Sequence, residues 1–323
     1  MNNDNYFIKI EKTPIITKLN KKSKYYDNFK NLVNMYASSL DVGALVREIG
    51  FTPHNFSNHC RDIYKILSDI LPDKFYKVYN KGSNLFLLLT AVLMHDYYMS
   101  QDASEEARRK HSELGKKYVE KEIFGKDNTP LKMYCSKEFG EALADVIYAH
   151  SDIKDEHGGI DTYTFKKILE KYSDKRKKVK VDGEELNVPF VAALLRFADE
   201  LDISYERIEG TGYEGKINTE ESKMHYEICK YFKPVQNRKD EEISIEIFDK
   251  EFENVPDDDK PAIAGQIINR FIKIKKEFDY LSKEVFFNNL YTKSEIWTIE
   301  KISLMNEEVY KEWIKKKVNA SIL

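Results

Sequence analysis

The sequence predicts a mainly helical fold with a small hairpin insertion and a C-terminal region that mixes helix and strand. Three observations carry this reading. Apolar residues recur at helical spacing through most of the chain before Gly210. Residues that start or stop helices fall between those stretches. Strand signals are confined to one Asp182-Gly183 turn and to the region beyond Gly210.

Taken in order, Phe29, Leu32, Val33, Met35, Tyr36, Leu40, Leu45 and Val46 suit one or two amphipathic helices over 26–48, with a break from Gly50 to Pro53. Asn55 to Leu71 follows and is closed by Pro72. Ser83 to Tyr98 is the most apolar stretch. Ser83 is placed to cap it, and with almost no polar face the helix must be buried nearly all round. Ala103 to Phe124 reads as one helix ending at Gly125, and Ser136 to His150 as another running into a loop at His157 to Gly159. The segment 176–187, RKKVKVDGEELN, reads as a hairpin standing off the helical body. Pro189 to Asp202 starts with proline in its first turn and continues as an apolar helix studded with charge. Beyond Gly210, HYEICKYF and ISIEIFD read as strands, PDDDKPA as a loop, and Ile263 to Val285 as helix. The segment 294–317 is charged and amphipathic and suits a packing or partner helix. A boundary near 210 divides a domain over 1–210 from a regulatory or oligomerising α+β extension over 211–323.

A chain of 323 residues is long enough to bury a large core. Its 52 Lys+Arg against 55 Asp+Glu give a net charge of -3, which argues against a protein built to coat nucleic acid or an anionic membrane. Cys60, Cys135 and Cys229 form no CxxC pair, so neither a thiolate zinc site nor a disulfide framework is expected. The N-terminus is polar, and the longest apolar run, Leu85 to Met94, is about half of what spans a bilayer. A cytoplasmic protein without a membrane partner is expected. The 21 Tyr and 18 Phe sit mostly at helix-face spacing, which suits core packing better than a base-stacking platform.

The seven histidines stand at 54, 59, 95, 111, 150, 157 and 225. His59, His95, His111 and His150 each lie in or at the end of a separate expected helix, so a bundle could gather them at one centre. His95-Asp96 closes the apolar run LFLLLTAVLM, where a buried carboxylate is costly unless paired or bound to a cation. Asp199 poses the same problem in FVAALLRFADELD, with Arg196 one turn earlier as a neutralising partner or a bidentate phosphate contact. Lys154 and the run Lys175 to Lys180 are either phosphate contacts or a solvated face. Imidazoles mixed with carboxylates suit Mn, Fe, Co, Ni or Zn, with Mg admissible. No GxxxxGK[ST], GxGxxG or GxSxG sequence occurs, which argues against a P-loop, a Rossmann turn and a serine nucleophile.

NHCRDIYKIL, AVLMHDYYM and AALLRFADELD resemble the three defining segments of the HD superfamily, across about residues 50 to 207. The resemblance implies an HD-type helical bundle in which His59, His95, Asp96 and Asp199 hold a divalent metal. RRKHSELGKKYV and DVIYAHSD resemble the extra histidine segments of HD proteins, implying that His111 and His150 ligate a second ion or act on the substrate phosphate. The GYP segment of the cyclic-dinucleotide phosphodiesterases is absent. FTPHNFSNH, a later helix-ending histidine and LLRFADELD, with an appended strand-containing region, resemble most an HD branch associated with bacterial conflict and defence systems. That implies His54 near the site mouth and a partner protein of such a system, alongside possible homo-oligomers. The implied activity is hydrolysis of a nucleotide or related phosphoester by metal-activated water, with one or two ions. Deoxynucleotide triphosphohydrolysis is slightly favoured. A cyclic (di)nucleotide phosphodiesterase, a single-strand nuclease and a nucleotide-sensing or partner-binding module are the alternatives.

Overall fold

The computed structural model describes residues 6–46, 55–71, 73–102, 104–155, 160–173, 178–203, 226–230, 232–237, 242–247 and 302–303. The expected break at 50–53, His54, the loop at 157–159, the PDDDKPA loop and the helix at 263–285 lie outside the described residues. The helices are α1 (Pro14–Thr17), α2 (Lys24–Val46), α3 (Arg61–Ile70), α4 (Asp73–Val78), α5 (Ser83–Met94), α6 (Glu105–Arg109), α7 (His111–Phe124), α8 (Pro130–Tyr134), α9 (Lys137–Ala149), α10 (Thr164–Ser173) and α11 (Val188–Leu201). The strands are β1 (Ile153–Lys154), β2 (Ile160–Thr162), β3 (Lys180–Val181), β4 (Glu184–Glu185), β5 (Phe232–Asn237), β6 (Glu242–Ile247) and β7 (Ile302–Ser303). The described part of the protein is thus predominantly helical, a helical bundle with small sheet insertions.

Helix α5 forms the axis of the bundle. Every one of its residues is buried, and α2, α3, α9 and α11 pack around it. Its leucines at 87, 88 and 89 point in different directions and all reach zero exposure, each worth about 1.5–3 kcal/mol of burial. Phe86 stacks on Phe139 of α9 with ring centroids 4.7 Å apart, and Phe29 meets Tyr64 edge-on. The buried aromatics Phe7, Phe29, Phe56, Phe75, Phe86, Phe139 and Phe190 fill the core, as their spacing implies. Helices α7 and α9 approach closely because Gly140 has no side chain; a Cβ there would stand 2.6 Å from Ile123 Cγ1. Buried Asp145 of α9 then ties three helices together, accepting from Lys116 of α7 at 3.1 Å and from Lys171 and Tyr172 of α10 at 2.5 and 2.8 Å.

Several local expectations are corrected. The N-cap of α5 is Gly82, at φ 88°, which has no side chain to cap the helix. The Glu184 carboxylate does that work from the hairpin, accepting from the Ser83 and Asn84 N–H groups at 2.9 and 3.2 Å and from the Ser83 hydroxyl. The β3–β4 hairpin is therefore docked on the body rather than standing off it. Its turn is the expected one, with Asp182 and Gly183 both at positive φ. The single helix expected over 103–124 breaks at Lys110 into α6 and α7. Residues 226–230 of HYEICKYF are helical, and the strand starts only at Phe232. ISIEIFD does supply a strand, β6, which pairs antiparallel with β5. Within 294–317, Ile302–Ser303 pairs parallel to β6, so that stretch is not helical throughout. Among the described residues no helix is long and apolar enough to cross a membrane.

Candidate metal centre

The histidines gather at one end of the bundle because helices end there. His95 is the C-cap of α5 and His150 the C-cap of α9, positions where the last main-chain carbonyls have no partner within the helix. Each ring takes one of them. His95 Nδ1 meets the Val92 carbonyl at 2.8 Å, and His150 Nδ1 meets the Ile147 carbonyl at 2.5 Å. The break at Lys110 serves the same end, because it frees the Arg108 carbonyl at the close of α6 for His111 Nδ1 at 2.7 Å. His59 lies in a π-helical turn, Phe56–Cys60, that leads into α3 and is capped by the Asn55 side chain. Its Nδ1 faces the Asp202 carboxylate at 2.5 Å.

A carbonyl or carboxylate can only accept, so each Nδ1 carries the hydrogen and each neutral ring presents a lone pair at Nε2. Those lone pairs converge. His59 Nε2 and His95 Nε2 are 3.0 Å apart, and Asp96 Oδ2 is 3.5 Å from the first and 3.2 Å from the second. Asp199 Oδ1, on the last turn of α11, closes this inner group at 3.4 Å from His59 Nε2 and 3.9 Å from His95 Nε2. The other Asp96 oxygen, Oδ1, faces an outer pair, His111 Nε2 at 3.7 Å and His150 Nε2 at 3.4 Å. His150 Nε2 is buried and has no hydrogen-bond partner among the described residues.

Acceptors crowded together repel unless a cation sits among them, and this one holds two sets able to ligate one. In each of His59/His95/Asp96 and Asp96/His111/His150 the ligating atoms lie within 4.8 Å of one another. The C-terminal ends of α5, α9 and α11 add their negative dipole ends to the same point. The ionisation of the groups follows suit. Burial pushes the His95 imidazole down, but the Asp96 and Asp199 carboxylates together lift it above its ordinary value. Burial pushes Asp199 up, yet His95 and His59 hold it well below the usual carboxylate range. The donor set, imidazole nitrogen with carboxylate oxygen, fits a divalent transition ion.

A family model described as HD-CE matches residues 48–285, more than half of the chain. The chain belongs to the HD-CE family. No curated protein and no solved structure matches it. The HD-CE match runs through position 210 and takes in every residue of the cluster.

Sequence reasoning names six of the residues that this HD-CE chain brings together, and two others take different positions. Arg196 of α11 is buried; it donates to the Ala149 carbonyl at 2.9 Å and lies 3.4 Å from Asp152 Oδ2, next to the His150 turn. Lys154 is exposed on β1, a strand in contact with α7. Of the basic run, Lys178 pairs with Glu185 across the hairpin at 2.7 Å. Asp202 was missed. The signal was present in the motif FADELD, where two aspartates stand three apart and share a helix face.

Proposed function

We propose that this protein is a phosphohydrolase that cleaves a nucleotide or related phosphoester at a two-ion centre. His59, His95, Asp96 and Asp199 hold the first ion, and His111, His150 and the second oxygen of Asp96 hold the other. The observation that carries this reading is the Asp96 carboxylate, whose two oxygens face two separate imidazole pairs. Divalent ions bound there supply a water activated for attack near neutral pH and polarise a phosphoryl oxygen.

The chain's own groups account for the rest. Asp96 orients the attacking water as well as bridging the two sets. His111, whose side chain is 21 % exposed, is the imidazole nearest to solvent. It or His150 protonates the leaving oxygen wherever it is not engaged as a ligand. Arg196 is assigned to support of the His150 turn rather than to phosphate, because its guanidinium is committed to Ala149 and Asp152. Lys154 and His54 remain the candidates for substrate contact. Deoxynucleoside triphosphates are the substrates we favour, since the sequence lacks the GYP segment of the cyclic-dinucleotide enzymes. A setting in a bacterial defence system, with a nucleotide-linked partner, is part of the same proposal and rests on the sequence resemblance alone.

Product analysis tests this reading. Protein loaded with Mn, Co or Zn is incubated with deoxynucleoside triphosphates, cyclic dinucleotides and single-stranded oligonucleotides, beside an Asp96→Ala control. Nucleoside plus inorganic triphosphate is the expected outcome. A linear dinucleotide or shortened strands would move the activity to a phosphodiesterase or nuclease. Equal turnover in the control would overturn the mechanism.

A further inference from the structure

Four imidazoles enter the cluster, and they are not held alike. His95, His111 and His150 each donate Nδ1–H to a main-chain carbonyl. His59 donates to a carboxylate, Asp202 Oδ2, at 2.5 Å, and Asp202 is only 1 % exposed. A charged acceptor makes a hydrogen bond roughly twice as strong as a neutral one, and it draws the ring toward imidazolate character, which makes the opposite nitrogen a better donor to metal.

The origin of Asp202 strengthens the point. It is the C-cap of α11, and its N–H donates to the Asp199 carbonyl at 3.1 Å. The same turn sends the Asp199 carboxylate to the other side of the ring, 3.4 Å from His59 Nε2. One turn of α11 therefore sets a carboxylate against each nitrogen of His59. His59 itself sits in the π-helical turn that leads into α3 rather than at the C-terminal end of a helix, and its Nδ1 meets a carboxylate instead of a helix-terminal carbonyl. Around the inner pair stand Asp96, Asp199 and Asp202. The outer pair, His111 and His150, faces the second oxygen of Asp96.

We propose that Asp202 is a positioning residue, which fixes His59 as the Nδ1–H form with Nε2 aimed into the cluster and gives the inner set first claim on metal. The proposal rests on the two-ion reading for its second half only. Its first half concerns the metal-free chain.

The test uses the full-length protein in wild-type, Asp202→Asn and Asp202→Ala forms. In metal-free samples labelled with nitrogen-15 at histidine, NMR reports the tautomer of each ring. Wild-type His59 is expected as the Nδ1–H form, Asp202→Asn should retain it through the amide oxygen, and Asp202→Ala should lose it while the other three rings stay unchanged. Titration with Co2+ against a competing chelator should show a tight step followed by a weaker one. Asp202→Asn should weaken the first step by about 10–100-fold, leave the second unchanged, and melt within about a degree or two of wild type, a small shift for a chain of this size. If Asp202→Ala fails to fold, the Asn variant carries the test. An unchanged first step in Asp202→Asn, together with an unchanged His59 tautomer in the Ala variant, would overturn the proposal. Wild type that takes up no Co2+ while Asp202→Ala still shifts the His59 tautomer would leave the positioning role standing and sink the two-ion reading instead.

Discussion

The inner and outer halves of the cluster share one carboxylate and differ in almost everything else. His59 and His95 are wholly buried, and two further aspartates, Asp199 and Asp202, stand against them. His111 and His150 meet a single Asp96 oxygen and are fixed by main-chain carbonyls, with His111 partly open to solvent. Negative charge and burial raise the affinity for a cation, whereas access to solvent eases its exchange and admits substrate. The contrast teaches a division of labour. On the proposed two-ion reading, the inner half would retain an ion and the outer half would work beside substrate.

The largest blow to this comparison is Asp96→Ala, because it removes the one group both halves use. Turnover is expected to fall to background and metal content by elemental analysis to drop for both ions, with the circular dichroism of the helices retained. Next come two single-sided variants. His59→Ala should release the ion of the inner half, whereas His150→Ala should lower bound metal from two equivalents to one and reduce turnover by about 10²–10⁴-fold, the range for a lost acid or ligand group. If both variants lost both ions together, the halves would be a single cooperative site and the division of labour would be wrong. For His111→Ala, kcat should fall further than KM rises if, as proposed, its ring acts in the transition state.

A smaller effect is expected from the far end of α5. Glu184 satisfies the orphan N–H groups of the helix that ends in His95 and Asp96. Glu184→Ala strands those buried donors at a cost of about 1–3 kcal/mol, which for a domain of this size lowers the melting temperature by a few degrees. Metal stoichiometry should not change, because the cap stabilises the scaffold of both halves equally. A selective loss of the inner ion would show that the hairpin tunes the site.

The histidines were legible because polar residues that close apolar runs have few structural reasons to be there. His95-Asp96 and Asp199 stand out in that way. What held each ring was not legible. The Nδ1 partners of His95 and His150 depend on where a helix stops to within one residue, and the partner of His111 exists only because the helix breaks at Lys110. Arg108, Arg109 and Lys110 are all good helix formers, so the break comes from packing and not from local preference. The hairpin turn was readable from Asp182-Gly183, but its docking needed Glu184 to meet a helix start 101 positions earlier. Helix α10 carries a readable helical pattern at Phe165, Ile168, Leu169 and Tyr172.

The least expected effect is also the most informative about the inner half. In the metal-free protein a proton is the cation at hand, and the inner carboxylates favour its binding at His95. Burial alone would lower the His95 pKa, yet Asp96 and Asp199 raise it above the ordinary value of 6.5. The folded state therefore holds the proton more tightly than the unfolded chain. That contribution to stability is fully present below about pH 6.5 and is lost as pH rises through the elevated value. The melting temperature of metal-free protein should thus fall as pH climbs above 6.5, and the fall should vanish in metal-free His95→Gln. In metal-loaded wild type the sign reverses, because protons compete with the ion for the same nitrogens and affinity weakens on acidification. A metal-free protein whose stability rose through this range would mean that the inner carboxylates do not face His95 as a pair, and the charge difference between the two halves would lose its basis.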